Sequence, residues 1–166
     1  EQRAKYLPDC FSLKQISSFA FTEPSTGSDP KSIESTAVLD GDTWVINGTK
    51  RFISLANYEG PLVVFAIDDQ SNKPSGFIVD KFCEGYSIDE GWTKVGLHGA
   101  KLNDIFMEDI RVPKENILGG PGQGYKVLQA NIAFGKLSVS TVALGAAQGA
   151  LEEAMRFSVE RTRRGV

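Results

Sequence analysis

The sequence predicts a mainly β chain with an α-helical end: an antiparallel β-barrel or sandwich of about seven strands, then one long bundle helix. Three observations carry this. Short apolar runs alternate with Gly, Asn and Asp turn signals from about residue 17 to residue 112. A breaker cluster, Gly119-Gly120-Pro121-Gly122-Gln123-Gly124, follows them. Beyond it no proline occurs, and apolar residues recur at steps of three and four. A doubly wound parallel sheet would need crossover helices, for which the chain leaves no room.

Residues 1–12 form a short, mildly amphipathic stub that should end near Pro8. Residues 19–22 and 35–39 read as strands. Asp40-Gly41-Asp42 and Asn47-Gly48 bracket a strand at residues 43–46, and both favour the left-handed backbone of tight hairpin turns. Further strands are expected at residues 62–67, 76–79, 86–88 and 104–112. The glycine cluster serves best as a linker. In the helix, Val139, Val142, Ala143, Ala146, Ala147, Ala150, Leu151, Ala154 and Met155 make one apolar stripe, rich enough in alanine for close approach of a partner helix. Gly135, Gly145 and Gly149 weaken the helix by about 1 kcal/mol each relative to Ala, so it needs partners that this stretch does not supply. The expected divisions are 1–12, the tail of a preceding helical domain; 13–118, the β domain; and 119–166, the first helix of a helical domain. The chain reads as a fragment of something longer.

Composition narrows the function. The 166 residues are 41% hydrophobic and 23% charged, with ten Phe spread along the chain, which suits a folded core. The net charge is −3 with no basic block, against a nucleic-acid reader. The longest uncharged run, residues 137–151, is 15 residues long, so no membrane span is expected. Two cysteines, Cys10 and Cys83, and one histidine, His98, are too few for a disulfide framework or a zinc site. No secretory pattern opens the sequence, and a soluble, reducing compartment is the default.

Residues 19–30 are the most unusual stretch, a strand running into a loop crowded with hydroxyls. Such a loop presents donors to a polar ligand or is simply a turn with Ser28 and Asp29 bonding local amides. His98 sits in a Gly-flanked turn and reads as structural. Arg156, Arg161, Arg163 and Arg164 crowd the helix end, where they either favour the helix dipole or contact a phosphate.

Taken together these stretches resemble the acyl-CoA dehydrogenase family of flavoproteins. Thr22-Glu23-Pro24 with Gly27-Ser28-Asp29 is similar to its T-E-P-x-x-G-S-D signature, and Asn47-Gly48-Thr49-Lys50-Arg51-Phe52-Ile53-Ser54 to its N-G-x-K-x-W-I-T strand. Glu108-Asp109-Ile110-Arg111-Val112-Pro113 with Asn116, Gly122 and Gly124, then Leu151-Glu152-Glu153-Ala154 and Glu160-Arg161 before Gly165, continue the likeness in order.

The resemblance implies a middle β-barrel followed by the opening helix of a four-helix bundle, usually in a homotetramer, with FAD as cofactor. It implies removal of the α-proton of an acyl-CoA by a carboxylate and of the β-hydride by flavin N5, giving a 2-enoyl-CoA. Electrons then pass to an electron-transfer flavoprotein, in the cytoplasm or the mitochondrial matrix. Carried over by position, Phe19, Ala20, Phe21, Thr22 and Ser28 would line the flavin ring, with donors toward its electron-rich N5, O4 and O2. Phe52 and Ile53 would pack against it, with Ser54 donating a hydrogen bond. Ser28, Gly135 and Ser138 fall at substrate-side positions. Arg161 and Arg163 would reach the FAD of a neighbouring subunit.

The departures are specific. Phe52 replaces the usual Trp, Ser54 the usual Thr, Leu102 a frequent Thr and Arg164 a Phe. Ser138 replaces an Arg that helps bind acyl-CoA. Gly135 occupies the position where a minority of the family carry the base, so no catalytic residue is expected in this chain, which alone should be inactive. A related acyl-CoA oxidase or flavin monooxygenase, and a non-catalytic β module with a helical oligomerisation arm, are the alternatives.

Overall fold

The computed structural model describes residues 1–30 and 32–163. It divides into two units, residues 1–127 and residues 128–166.

The first unit opens with helix α1 (Gln2–Phe11), followed by strands β1 (Ser18–Ala20), β2 (Thr36–Asp40), β3 (Thr43–Ser54), β4 (Pro61–Asp68), β5 (Lys73–Asp80), β6 (Tyr86–Ile88), β7 (Leu102–Pro113) and β8 (Ile117–Leu118). The expected class stands. Eight strands form one sheet in the order β6-β7-β3-β2-β4-β5-β8, with β1 beside β4. Trp44 on β3 and Phe77 on β5 explain its shape. Two strands separate them, which in a flat sheet means about 14 Å, yet their ring centroids lie 5.2 Å apart. The sheet therefore curls over one core of Trp44, Ile46, Leu62, Val64, Phe77, Ile105 and their neighbours.

Several details depart from the sequence reading. Two pairings are parallel: β1 follows residues 62–64 of β4, and β2 follows residues 67–68. They are two pieces of one interrupted strand along the same edge of β4, and residues 21–35 loop out between them. No crossover helix is needed, because the long strand β3 carries the chain back. Asn47-Gly48 is not a turn but an irregularity inside β3. Asn47 instead exchanges side-chain bonds with Asp109 on β7, at 2.9 and 2.8 Å. Gly48 has φ +147°, and a Cβ there would lie 2.2 Å from Ser35 Oγ. Asp40 and Thr43 do flank the tight turn expected at Gly41. Pro8 does not end α1: its ring sits inside the helix while its carbonyl accepts Ser12 N–H at 3.0 Å.

The glycine cluster is not a free linker either. Gly122 N–H donates to Asp68 Oδ2 at 3.1 Å and to Ser75 Oγ at 2.7 Å, and Asp68 also accepts from Ser71 and Ser75 at 2.6 Å. Burial alone would raise the Asp68 pKa; these donors outweigh it and hold the carboxyl below its ordinary value. Gly124 packs against the Pro74 carbonyl, where a Cβ would meet oxygen at 2.6 Å.

The second unit is the body of helix α2, which spans Gly124–Glu160. Many of its apolar residues, Phe134, Leu137, Val142, Leu144 and Leu151 among them, are exposed, while Leu128 is buried. By length and composition alone α2 is apolar enough to cross a membrane, a test that a core helix of a soluble protein also passes.

Where the strand along β4 is interrupted, Lys50 fills the gap. Its Nζ donates to Glu23 Oε1 at 2.7 Å, to Phe65 O on β4 at 2.5 Å and to Phe21 O at 3.4 Å. Glu23 also accepts from Ser35 Oγ at 2.6 Å and from the N–H groups of Ser35 and Glu34. The two side chains are 0% and 2% exposed. Desolvation pushes Lys50 down to about 8 despite Glu23. For Glu23, desolvation pulls upward, but Lys50, Ser35 and Glu34 prevail and its pKa is lowered.

Two outcomes follow from this packing. Gly48→Ala should cost about 3 kcal/mol or more, from overlap with Ser35 and a strained φ, read by denaturant titration; under ~1 kcal/mol would contradict it. Lys50→Met strands a buried carboxylate and should cost about 3–5 kcal/mol, partly recovered by Glu23→Gln in the same chain. Because the folded pKa of Glu23 is depressed, its contribution is complete above its unfolded value near 4.5 and is lost as pH falls through the folded one. Acid titration of the double variant should lack this limb.

Candidate functional site

The candidate site is built where the chain beyond β1 passes beside the end of β3. Ser18 Oγ donates to Leu55 O at 3.1 Å, and Arg51 N–H donates to Thr22 O at 2.8 Å. Residues 18–22 therefore run antiparallel to residues 51–55. The structure thus brings Phe19, Ala20, Phe21 and Thr22 beside Phe52, Ile53 and Ser54, the two segments that the sequence singled out.

Their side chains divide by burial. Ala20 and Ile53 are core residues, so only their main chains are open to a ligand. Phe21 is buried with its ring centroid 6.0 Å from that of Phe65, and half-buried Phe19 meets the same ring at 5.2 Å. Thr22 is half-buried, while Ser54 and Phe52 are exposed. Among the described residues neither the Thr22 nor the Ser54 hydroxyl has an intramolecular hydrogen bond. Two spare hydroxyl donors beside an exposed ring fit a planar heteroaromatic group with electron-rich acceptors.

The loop that carries Ser28 is shaped by a reciprocal pair, Glu23 N–H to Thr26 O at 2.8 Å and Thr26 N–H to Glu23 O at 3.2 Å. Gly27 lies close to Thr22, where a Cβ would stand 3.3 Å from the Thr22 methyl. Ser28 is exposed at the loop surface. Asp29 Oδ2 accepts from Ser32 Oγ at 2.5 Å, a hydroxyl where the turn reading expected an amide.

Lys81 underlies the same crossing from β1 to β3. Its buried Nζ donates to Ile16 O, Ser18 Oγ and Leu55 O at 2.8–3.1 Å, with no carboxylate partner among the described residues. Desolvation pushes it down to about 8. The sequence reading missed Lys81, and it missed the roles of Lys50, Trp92 and Asp104. Lys50 had a legible signal: it shares the even-numbered parity of core-facing Trp44 and Ile46, and a charge on that parity demands a partner.

In the second unit, Gly135 borders an open groove of about 570 Å³ with Asn131, Ile132, Lys136, Val139 and Ser140. Ser138 spends its hydroxyl on Phe134 O at 3.2 Å. Arg156 is paired with Glu153 and Glu160, whereas Arg161 and Arg163 are exposed without a carboxylate among the described residues. The Arg161 guanidinium lies over the Phe157 ring, 5.4 Å from its centroid. Arg164 and Gly165 lie outside the described residues. His98 is exposed in its turn and contacts Lys94 O at 3.1 Å. Cys10 and Cys83 are unpaired, and no metal-ligand cluster occurs among the described residues.

The family model for the acyl-CoA dehydrogenase middle domain matches residues 18–110. The caffeyl-CoA reductase–Etf complex subunit CarC of Acetobacterium woodii is 40% identical over 99% of this chain and 44% of its own length. A short-chain specific acyl-CoA dehydrogenase of Clostridium acetobutylicum is 34% identical over the same shares, 99% and 44%. The crystal structure of acyl-CoA dehydrogenase complexed with FAD from Bacillus anthracis matches with a TM-score of 0.93 and 30% identity, over 98% of this chain and 28% of that one. The chain thus spans less than half the length of these relatives. With the matched segment covering more than half of its residues, the chain belongs to the acyl-CoA dehydrogenase family.

Proposed function

We propose that this chain forms the flavin-facing part of an FAD-dependent enzyme that interconverts acyl-CoA and 2-enoyl-CoA thioesters. The observation that carries the reading is the juxtaposition of residues 19–22 with residues 52–54, with two hydroxyls that have no intramolecular partner among the described residues near an exposed aromatic ring. FAD, named with the Bacillus anthracis relative, is the group that this donor set fits. When bound, it supplies the two-electron acceptor for a β-hydride.

The chain's own residues would do three things. Thr22 and Ser54 donate toward the heteroatoms that become electron-rich on reduction, which stabilises the reduced state. Phe52 covers one side of the ring and excludes water. Arg161 and Arg163, exposed and without carboxylate partners among the described residues, would hold phosphate oxygens of FAD bound by a neighbouring copy. The α-proton is removed by a carboxylate supplied outside residues 1–166, since Gly135 has no side chain to offer. The isolated chain is accordingly expected to lack turnover. By family position Ser28 and Ser138 would each serve the substrate; Ser138 lacks the charge of an Arg, so thioester selection would rest on other contacts.

The Acetobacterium woodii relative, named as a reductase in an Etf complex, favours the reductive direction and an electron-transfer flavoprotein as redox partner. A homotetramer in the cytoplasm or mitochondrial matrix completes the proposal, in keeping with the unpaired cysteines.

Anaerobic mixing of the full-length holoprotein with a series of acyl-CoAs should bleach the flavin and yield 2-enoyl-CoA. Bleaching by no acyl-CoA, together with no reoxidation of the reduced protein by 2-enoyl-CoAs, would refute the reading. Thr22→Val removes a donor to the electron-rich side. Losing a hydrogen bond worth about 1.5 kcal/mol should lower the two-electron potential by roughly 30 mV, read by spectroelectrochemistry. An unchanged potential would remove Thr22 from the site.

A further inference from the structure

We propose that Asp104 is the positioning residue that aims Phe52 at the flavin; this rests on the reading that Phe52 lies against the ring. The register of β3 and β7 shows why such a residue is needed. Lys50 pairs with Ile105 and Ile53 with Asn103, so three steps on β3 are matched by two on β7. Arg51 and Phe52 together face the single residue Asp104, and Phe52 adopts φ +60°, a left-handed backbone that side-chain-bearing residues rarely hold.

The Asp104 carboxylate supplies what the broken ladder lacks. Oδ1 accepts from Trp92 Nε1 at 2.9 Å and from Phe52 N–H at 3.4 Å, and Oδ2 accepts from Arg51 Nε at 3.0 Å. Its own N–H donates to Asp89 Oδ1 at 2.9 Å, which fixes the carboxylate in turn. The Asp104 side chain is 7% exposed, whereas Phe52 is 47% exposed. The Phe52 and Trp92 ring centroids lie 4.9 Å apart, and the Arg51 guanidinium lies 5.4 Å from the Trp92 centroid and 5.9 Å from that of Phe52. One buried carboxylate thus holds a bulge, two rings and a cation in one arrangement, and its outermost element is the ring assigned to the cofactor. Desolvation works against the charge, but the Trp92, Arg51 and Phe52 donors overcome it and keep the carboxyl below its ordinary pKa.

An amide cannot reproduce this arrangement, because its nitrogen would face a donor, either Arg51 Nε or Trp92 Nε1. In the full-length protein, Asp104→Asn should weaken FAD binding about tenfold and shift the flavin's visible band. Trp92→Phe, which keeps a ring and loses one donor, should show a smaller change of the same kind. Phe52→Leu comes first as a control. If it alters neither FAD affinity nor the flavin spectrum, the site reading itself fails. If it alters both while Asp104→Asn alters neither, the positioning role is overturned. The double variant distinguishes positioning from general support: Asp104→Asn in a Phe52→Leu background should add less than twofold to the loss. Multiplicative losses would make Asp104 a stabilising residue only and contradict the proposal.

Discussion

A buried ion pair lets this fold open a loop in the middle of a sheet. The edge of β4 is covered by two short strands, β1 and β2, with residues 21–35 leaving the sheet between them. Interrupting a strand exposes main-chain carbonyls that must find donors. The Lys50 ammonium bonds to two of them, Phe21 O and Phe65 O, and uses its charge on Glu23, which in turn gathers the chain where it re-enters as β2. The cost of burying two charges is met only because each hydrogen-bonds several neighbours. The loop with its hydroxyls is therefore held at both ends while its middle stays at the surface.

Around that break the outer elements divide the work. β3 is long enough to pair with β2 along its first half and to run beside residues 18–22 along its second. The irregularity at residues 51–52 turns the Phe52 ring outward just where the two segments meet, and Lys81 ties the crossing from below. On the far side, Asp68 anchors the Gly122 N–H before α2 begins. Ser54 lies on β3, Thr22 lies just past β1 with its carbonyl bonded to Arg51 N–H, and the polar ties are buried. An electron-accepting ring requires this, because its donors must be in place before the charge develops.

Much of this was legible from residue order. The alternating runs and the Asp40-Gly41-Asp42 turn located the main strands, and the T-E-P and N-G-x-K stretches singled out two segments that the structure brings side by side. What failed did so for physical reasons. Asn47-Gly48 carries the composition of a hairpin turn, but its glycine is there for close approach to Ser35 and its asparagine for a bond to Asp109 across the sheet. The Gly119–Gly124 cluster has the composition of a linker but is fixed by Asp68, an aspartate distant in sequence. Pro8 breaks one hydrogen bond without ending its helix. Asp104 left no sequence signal, because its role exists only through a register shift between two strands.

The central claim is that residues 19–28 and 51–55 together form the bed of the flavin ring. Amide hydrogen exchange on the full-length protein, with FAD removed and then restored, tests it most directly. The account predicts that FAD slows exchange in both segments together. Unchanged exchange in both segments, with protection confined to other parts of the protein, would contradict it.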